Sequence, residues 1–137
     1  MNNNKTTTLS QSQMGIYVES IQHPNELVYH MPFLYTIDKA IDLERLRDAL
    51  YKVIAAHPAF FSYYATDDSG EPLIEERKDL PIVVEINEVE NMEAVKHDIS
   101  KRFNLADSRP IHIALYSGKD HNYMLFEVHH IIADGAS

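Results

Sequence analysis

The chain has 137 residues, of which 45% are hydrophobic and 24% charged, a length and composition typical of one globular domain with a buried core. Its formal charge of −9 opposes attraction to phosphate backbones and anionic lipid, and no apolar run is long enough to span a bilayer. The sequence therefore predicts neither nucleic acid nor a membrane as a partner. The residues after Met1 lack the apolar core of a secretion signal and there is no cysteine, which favours a cytoplasmic protein.

The first half of the chain carries clear signals for helices and strands. Ser10 followed by Gln13 is the pattern of a capping box and predicts a helix over residues 10–21. The aromatic and β-branched residues of Val28–Asp38 predict a strand, in which Pro32 indicates an edge or a bulge. Leucines at helical spacing then predict a helix that begins after Asp42 and ends before Pro58.

The second half of the chain predicts a hairpin, a short strand, an amphipathic helix and a second hairpin. These elements cover residues 59–78 (with a turn at 67–70), 82–86, 90–103 and 110–130, respectively. No repeat or linker divides the sequence. This order predicts the α/β class, as an α+β two-layer sandwich whose largely antiparallel sheet is covered on one side by helices.

The chain ends on VHHIIADGAS, residues 128–137, which has the composition of an active site. If the preceding strand includes both histidines, alternation places His129 on the face of Leu125 and Glu127, and His130 on the opposite face. Two neighbouring strand residues cannot both turn towards one zinc ion, so no metal site is predicted.

Taken alone, His130 is compatible with a satisfied core histidine or with a catalytic group at a strand end. Asp134 could orient its ring or stabilise a turn, and Gly135 would let a substrate approach closely. A serine hydrolase is not favoured, because Gly135 and Ser137 match only the first half of the G-x-S-x-G turn that exposes such a nucleophile.

HHIIADG matches the HHxxxDG signature of the condensation domains of nonribosomal peptide synthetases. LSQSQMGIY (residues 9–17) resembles their N-terminal Ser-x-Ala-Gln motif, with Ser12 in place of alanine. Residues 41–61 resemble the helix of their second motif, and residues 103–135 resemble the run into the active site. The resemblance covers nearly the whole chain.

This resemblance implies a chloramphenicol-acetyltransferase-like fold, in which two similar lobes enclose a tunnel. Residues 1–137 would be part of the N-terminal lobe, ending at the signature, and the C-terminal lobe would be missing. The chain alone is therefore predicted to be inactive, and the apolar surface left uncovered would favour self-association.

The implied reaction is amide formation between aminoacyl or peptidyl thioesters held by donor and acceptor peptidyl carrier proteins. The phosphopantetheine arms belong to those partners, so no cofactor is expected on this chain. By resemblance His130 is the catalytic histidine, acting as a general base or by orienting the amine, whereas His129 is structural. Asp134 would shape the loop and Gly135 would keep the site open.

One stretch departs from the family. The second motif commonly reads Arg-His-Glu-x-Leu-Arg, but residues 56–61 read AHPAFF and lack both arginines, so Asp134 needs another donor or cation. His57 is interpreted as a residue that stabilises the helix end. Two alternatives stay open: another HHxxxDG acyltransferase that uses coenzyme A thioesters, or a noncatalytic lobe that docks carrier proteins.

Overall fold

A computed structural model describes residues 6–23, 29–99 and 109–132 of the chain. These residues form seven strands, three α-helices and one short 3-10 helix. In chain order they are β1 (Thr6–Thr8), α1 (Gln11–Gln22), β2 (His30–Ile37), α2 (Leu43–Ala55), the 3-10 helix (Pro58–Phe61), β3 (Ser62–Thr66), β4 (Pro72–Glu76), β5 (Glu85–Glu88), α3 (Met92–His97), β6 (Ile111–Ser117) and β7 (Asn122–His129).

The strands are divided between two sheets. The larger sheet has the order β2-β7-β6-β5, with antiparallel pairing except between β5 and β6, which are parallel. The smaller sheet has the order β1-β4-β3 and is antiparallel throughout. The predicted fold class, α+β with largely antiparallel strands, is confirmed.

The two faces of the larger sheet have different hydrophobic cores. On one face, Leu115 and Val128 pack with residues of α1 and α2. On the other face, Leu125 packs with Val95 of α3, which is fully buried. Helices therefore contact both faces of this sheet, whereas the sequence predicted cover on one side.

Local capping explains where the two long helices begin. The Ser10 side chain accepts from the backbone of Gln13, whose side chain accepts from the backbone of Ser10, which completes the predicted capping box. Asp42 accepts from the backbone N–H groups of Glu44 and Arg45 at the start of α2. Both predicted helix starts are confirmed.

Several predicted boundaries are wrong. β5 begins at Glu85 rather than at residue 82, because the N–H of Val84 donates to the Tyr51 hydroxyl (3.0 Å) instead of to a strand. The predicted hairpin began at residue 59, where the chain forms the 3-10 helix instead. Asn91 caps α3, which ends at His97, while the rest of the helix predicted over residues 90–103 lies partly outside the described residues. β1 was not predicted.

Pro32 lies in β2, which pairs with β7 on one side and with no other described strand. The His129 N–H donates to the Pro110 carbonyl on the β6 side of β7 (2.9 Å), so the backbone groups of Glu127, two residues earlier, also point towards β6. Pro32 is opposite Glu127 and is therefore in a non-hydrogen-bonded pair with β7, so that the missing proline N–H removes no ladder bond. The prediction of an edge strand is confirmed.

The turn between β6 and β7 has no space for a side chain at Gly118. A Cβ atom there would overlap the His121 carbonyl oxygen and lie 2.8 Å from Cε2 of Tyr123. We expect Gly118→Ala to destabilise the domain by about 1–3 kcal/mol, because the backbone would have to shift.

Gly15→Ala is the matched control, because a Cβ at this helical position meets no atom within 4 Å. It should stabilise the domain by about 1 kcal/mol through helix propensity. Urea unfolding followed by circular dichroism measures both changes, and equal midpoints for Gly118→Ala and the parent protein would contradict the expected clash.

Candidate active site

The signature histidines lie where β7 ends and the chain turns into a helical conformation. His129 is the last residue of β7, and residues 130–132 are helical. Strand alternation therefore stops at His129, and the predicted placement of His130 by alternation does not apply. The two histidines nevertheless have different surroundings, because His129 is buried and His130 is only half-buried.

Both ring nitrogens of His129 have hydrogen-bond partners. Its Nδ1 accepts from the N–H of Ile131 (3.1 Å), and its Nε2 lies 3.2 Å from the Ser20 hydroxyl of α1. Burial, together with nearby His130 and His30, lowers the pKa of His129 to about 4. His129 is therefore neutral near pH 7, with its proton on Nε2, and is fixed as a structural group.

The backbone of His130 is fixed through Tyr29, at the entrance to β2. Besides its carbonyl bond to the His130 N–H, Tyr29 places its ring 5.9 Å from the ring of His129 and 6.3 Å from that of His130. The Tyr29 hydroxyl donates to Glu19 of α1 (2.7 Å). Contacts from helix α1 and from the residue before β2 thus fix the positions of both histidines.

Gln13, from the N-terminal motif, also reaches the signature. Its Nε2 donates to the Ile131 carbonyl (3.3 Å), while its Oε1 accepts from Ser10. A cavity of about 220 Å³ opens beside this contact. Its lining includes Gln13, Pro58, Ser62, Tyr64, Glu76 and Ile132. Space for a ligand is therefore present close to the signature in the fold.

Two of the predicted site residues, Asp134 and Gly135, lie outside the described residues, as does Ser137. The structure describes the other two, His129 and His130.

The second-motif segment ends α2, as its sequence predicts. Nδ1 of His57 donates to the Val53 carbonyl (2.8 Å), so His57 is a helix-end residue. Although this segment lacks arginine, the Arg109 guanidinium lies 5.8 Å from the ring of Phe61 and 5.2 Å from that of Tyr63. Sequence analysis did not identify this cation, which comes from the residues just before β6.

A second polar group missed from the sequence is Glu127, which is fully buried in β7. One carboxylate oxygen accepts from Nε2 of His30 (2.9 Å), and the other accepts from Nδ1 of His112 (2.6 Å). The signal was present, because an acidic residue in the apolar run MLFEV requires a partner when it is buried. What the sequence did not identify was which strands supply those partners.

Among residues 6–23, 29–99 and 109–132, no group of three or more His, Asp or Glu side chains is arranged to bind a metal ion. Within the same ranges, no helix is long and apolar enough to cross a membrane.

The family model of the condensation domain matches residues 3–137, which is almost the entire chain and includes the signature histidines. This chain belongs to the condensation-domain family. The recognition made from the sequence motifs is thereby confirmed.

Two bacterial peptide-antibiotic synthase chains and one solved domain are similar to this chain over most of its length. Surfactin synthase subunit 2 of Bacillus subtilis (strain 168) is 32% identical over 94% of the chain, and bacitracin synthase 3 of Bacillus licheniformis is 26% identical over 94%. The chain spans only 4% and 2% of the length of these relatives. The starter condensation domain of rhizomide synthetase has the same fold, with a TM-score of 0.77, 18% identity, and coverage of 93% of this chain and 33% of that one.

The His112–Glu127 contact should make the stability of the domain depend on pH. The hydrogen bond that His112 donates to Glu127, together with the negative charges of Glu127, Glu85 and Asp98, raises the pKa of His112 above its usual 6.5, although burial opposes this. The resulting stabilisation is complete below about pH 6.5 and is lost as pH rises through the raised pKa.

We therefore expect the thermal midpoint to fall as pH rises above about 6.5, and His112→Gln to remove part of this slope. Differential scanning calorimetry of both proteins across this range measures the difference. Identical slopes would contradict a charged His112 beside Glu127.

Proposed function

We propose that this chain is the N-terminal part of a condensation domain in a nonribosomal peptide synthetase. Completed by a C-terminal lobe, it catalyses amide formation between aminoacyl or peptidyl thioesters on donor and acceptor carrier proteins, with His130 as the catalytic residue. In this proposal the phosphopantetheine arms are carried by the partners, and the whole protein is cytoplasmic.

The observation that carries this proposal is the family match over residues 3–137, which contains the signature. Two features of the site support the assignment of roles. His129 is locked as a neutral structural group, whereas His130 is half-buried and lies beyond the end of the strand. Of the pair, His130 is therefore the one suited to contact a substrate.

The proposed reaction forms one C–N bond and breaks one C–S bond. The neutral amine of the acceptor attacks the donor carbonyl, the tetrahedral intermediate expels the donor thiolate, and the proton lost from nitrogen balances the thiol product. The His130 imidazole would accept or orient that proton, because its ring can both accept and donate one. Asp134 and Gly135 are proposed to shape the loop beside it.

The test of this proposal is condensation by the full-length protein that carries this chain. We expect His130→Ala to lower the rate of amide formation between loaded carrier proteins by about 100-fold or more, because the proton transfer loses its general base. His57→Ala is the matched control, since it makes the same substitution at an exposed helix end. Single-turnover mass spectrometry of the donor carrier protein measures both rates.

Unchanged turnover in His130→Ala would exclude the proposed role of this histidine. Acyl transfer from free coenzyme A thioesters without carrier proteins would favour a different acyltransferase, and carrier-protein binding without turnover would favour a docking lobe. The 137-residue chain alone is expected to give no amide, because a tunnel between two lobes is needed to exclude water.

A further inference from the structure

The Glu127 carboxylate joins three strands of the larger sheet close to the signature histidines. Glu127 lies in the central strand β7 and is fully buried, His30 begins β2, and His112 is the second residue of β6. Because carboxylate oxygens only accept, each histidine nitrogen that contacts Glu127 carries a proton. The His30–Glu127–His112 unit therefore binds both neighbouring strands to β7.

The same two strands also hold the backbone of the signature. Tyr29, whose carbonyl accepts from the His130 N–H (2.8 Å), directly precedes His30 in the chain. Pro110, whose carbonyl accepts from the His129 N–H (2.9 Å), lies two residues before His112. The hydrogen bonds from His30 and His112 to Glu127 therefore also fix the Tyr29 and Pro110 carbonyls, which accept from the two signature histidines.

We propose that Glu127 is a positioning residue for the reaction: by binding His30 and His112 it fixes the strands whose carbonyls orient His129 and His130. This inference rests on the proposed function, but its structural part can be tested without turnover. Glu127 does not contact the substrate in this proposal, and it acts only through the strands whose backbone carbonyls hold the two histidines.

Several ionisable groups act on the unit or lie beside it. They are His30 of β2, Glu85 of β5, Asp98 just after α3, His112 and Tyr116 of β6, and His129 and His130 at the end of β7. Glu127 contributes a negative charge and a protonated His112 contributes a positive one. Because Glu127 raises the pKa of His112, replacing either residue lowers the positive charge carried at position 112 above about pH 6.5.

The experiment compares E127Q, H112N and N122A in the full-length protein. E127Q keeps the shape of the side chain and removes its charge, and H112N removes the titratable ring. N122A is the matched control, because Asn122 is also buried in β7 but lies at its far end, where it contacts Lys39 (3.3 Å) and the Ile41 carbonyl (3.4 Å). Three quantities are measured: single-turnover rate, pH profile and hydrogen exchange of the His130 amide.

We expect E127Q to lower the rate constant for condensation about tenfold, with little change in the KM for either carrier protein, because the His130 ring is displaced. Its amide should exchange about tenfold faster than in the parent protein, because the bond to Tyr29 opens more often. The pH profile of the rate constant should lose, in both E127Q and H112N, the part that arises above about pH 6.5 as His112 releases its proton, because one variant removes the carboxylate that raises the pKa of His112 and the other removes the ring.

N122A should lower the thermal midpoint without changing the rate constant, the pH profile or the exchange of the His130 amide. Parent-like rate and exchange in E127Q would overturn the proposal. So would equal losses of rate and stability in E127Q and N122A with one common pH profile, since this is the result of a purely structural role.

Two further results keep this test separate from that of the proposed function. If the parent protein forms no amide, the proposed function fails, and exchange of the His130 amide alone decides whether Glu127 positions it. If E127Q does not fold, H112N carries the test, because His112 is 45% exposed and its replacement leaves no buried cavity. A pH profile and exchange rate equal to those of the parent would then overturn the proposal.

Discussion

The end of the central strand depends on a carboxylate that is completely removed from water. Burying such a group is costly unless both of its oxygens are hydrogen-bonded, and in this chain one histidine on each side of Glu127 supplies the donors. The partners come from different strands, so the bonds form only when β2, β7 and β6 are correctly paired. The sheet register and the geometry at His129 are therefore stabilised by the same interaction.

The elements that were predictable are those with local signals. Ser10 and Asp42 cap helices through bonds that span two or three residues, which a sequence pattern records directly. β5 was misplaced because the short run IVVEI (residues 82–86) does not distinguish a strand from an extended segment, and a distant tyrosine hydroxyl satisfies the backbone of Val84. β1 gave no signal, since three threonines become a strand only by pairing with β4.

The same difference between local signals and contacts of distant residues applies to the site. The signature identified the two histidines, because their spacing to aspartate and glycine is a property of the sequence. It did not identify Ser20, which binds His129 from 109 residues away, or His30, which is 97 residues from Glu127. Contacts of this kind are set by how helix α1 and strand β2 lie against β7, and no short pattern encodes that arrangement.

The position of Pro32 has a consequence for association between molecules. Its ring occupies a place in β2 where a backbone N–H would otherwise point away from β7, towards the outside of the sheet. A strand from another molecule that approached this edge would find no hydrogen-bond donor there, and open edges protected in this way resist aggregation. The exposed rings of Phe33 and Tyr35 lie beside this gap in the row of donors, which makes the edge a poorer template for a further strand than an uninterrupted one would be.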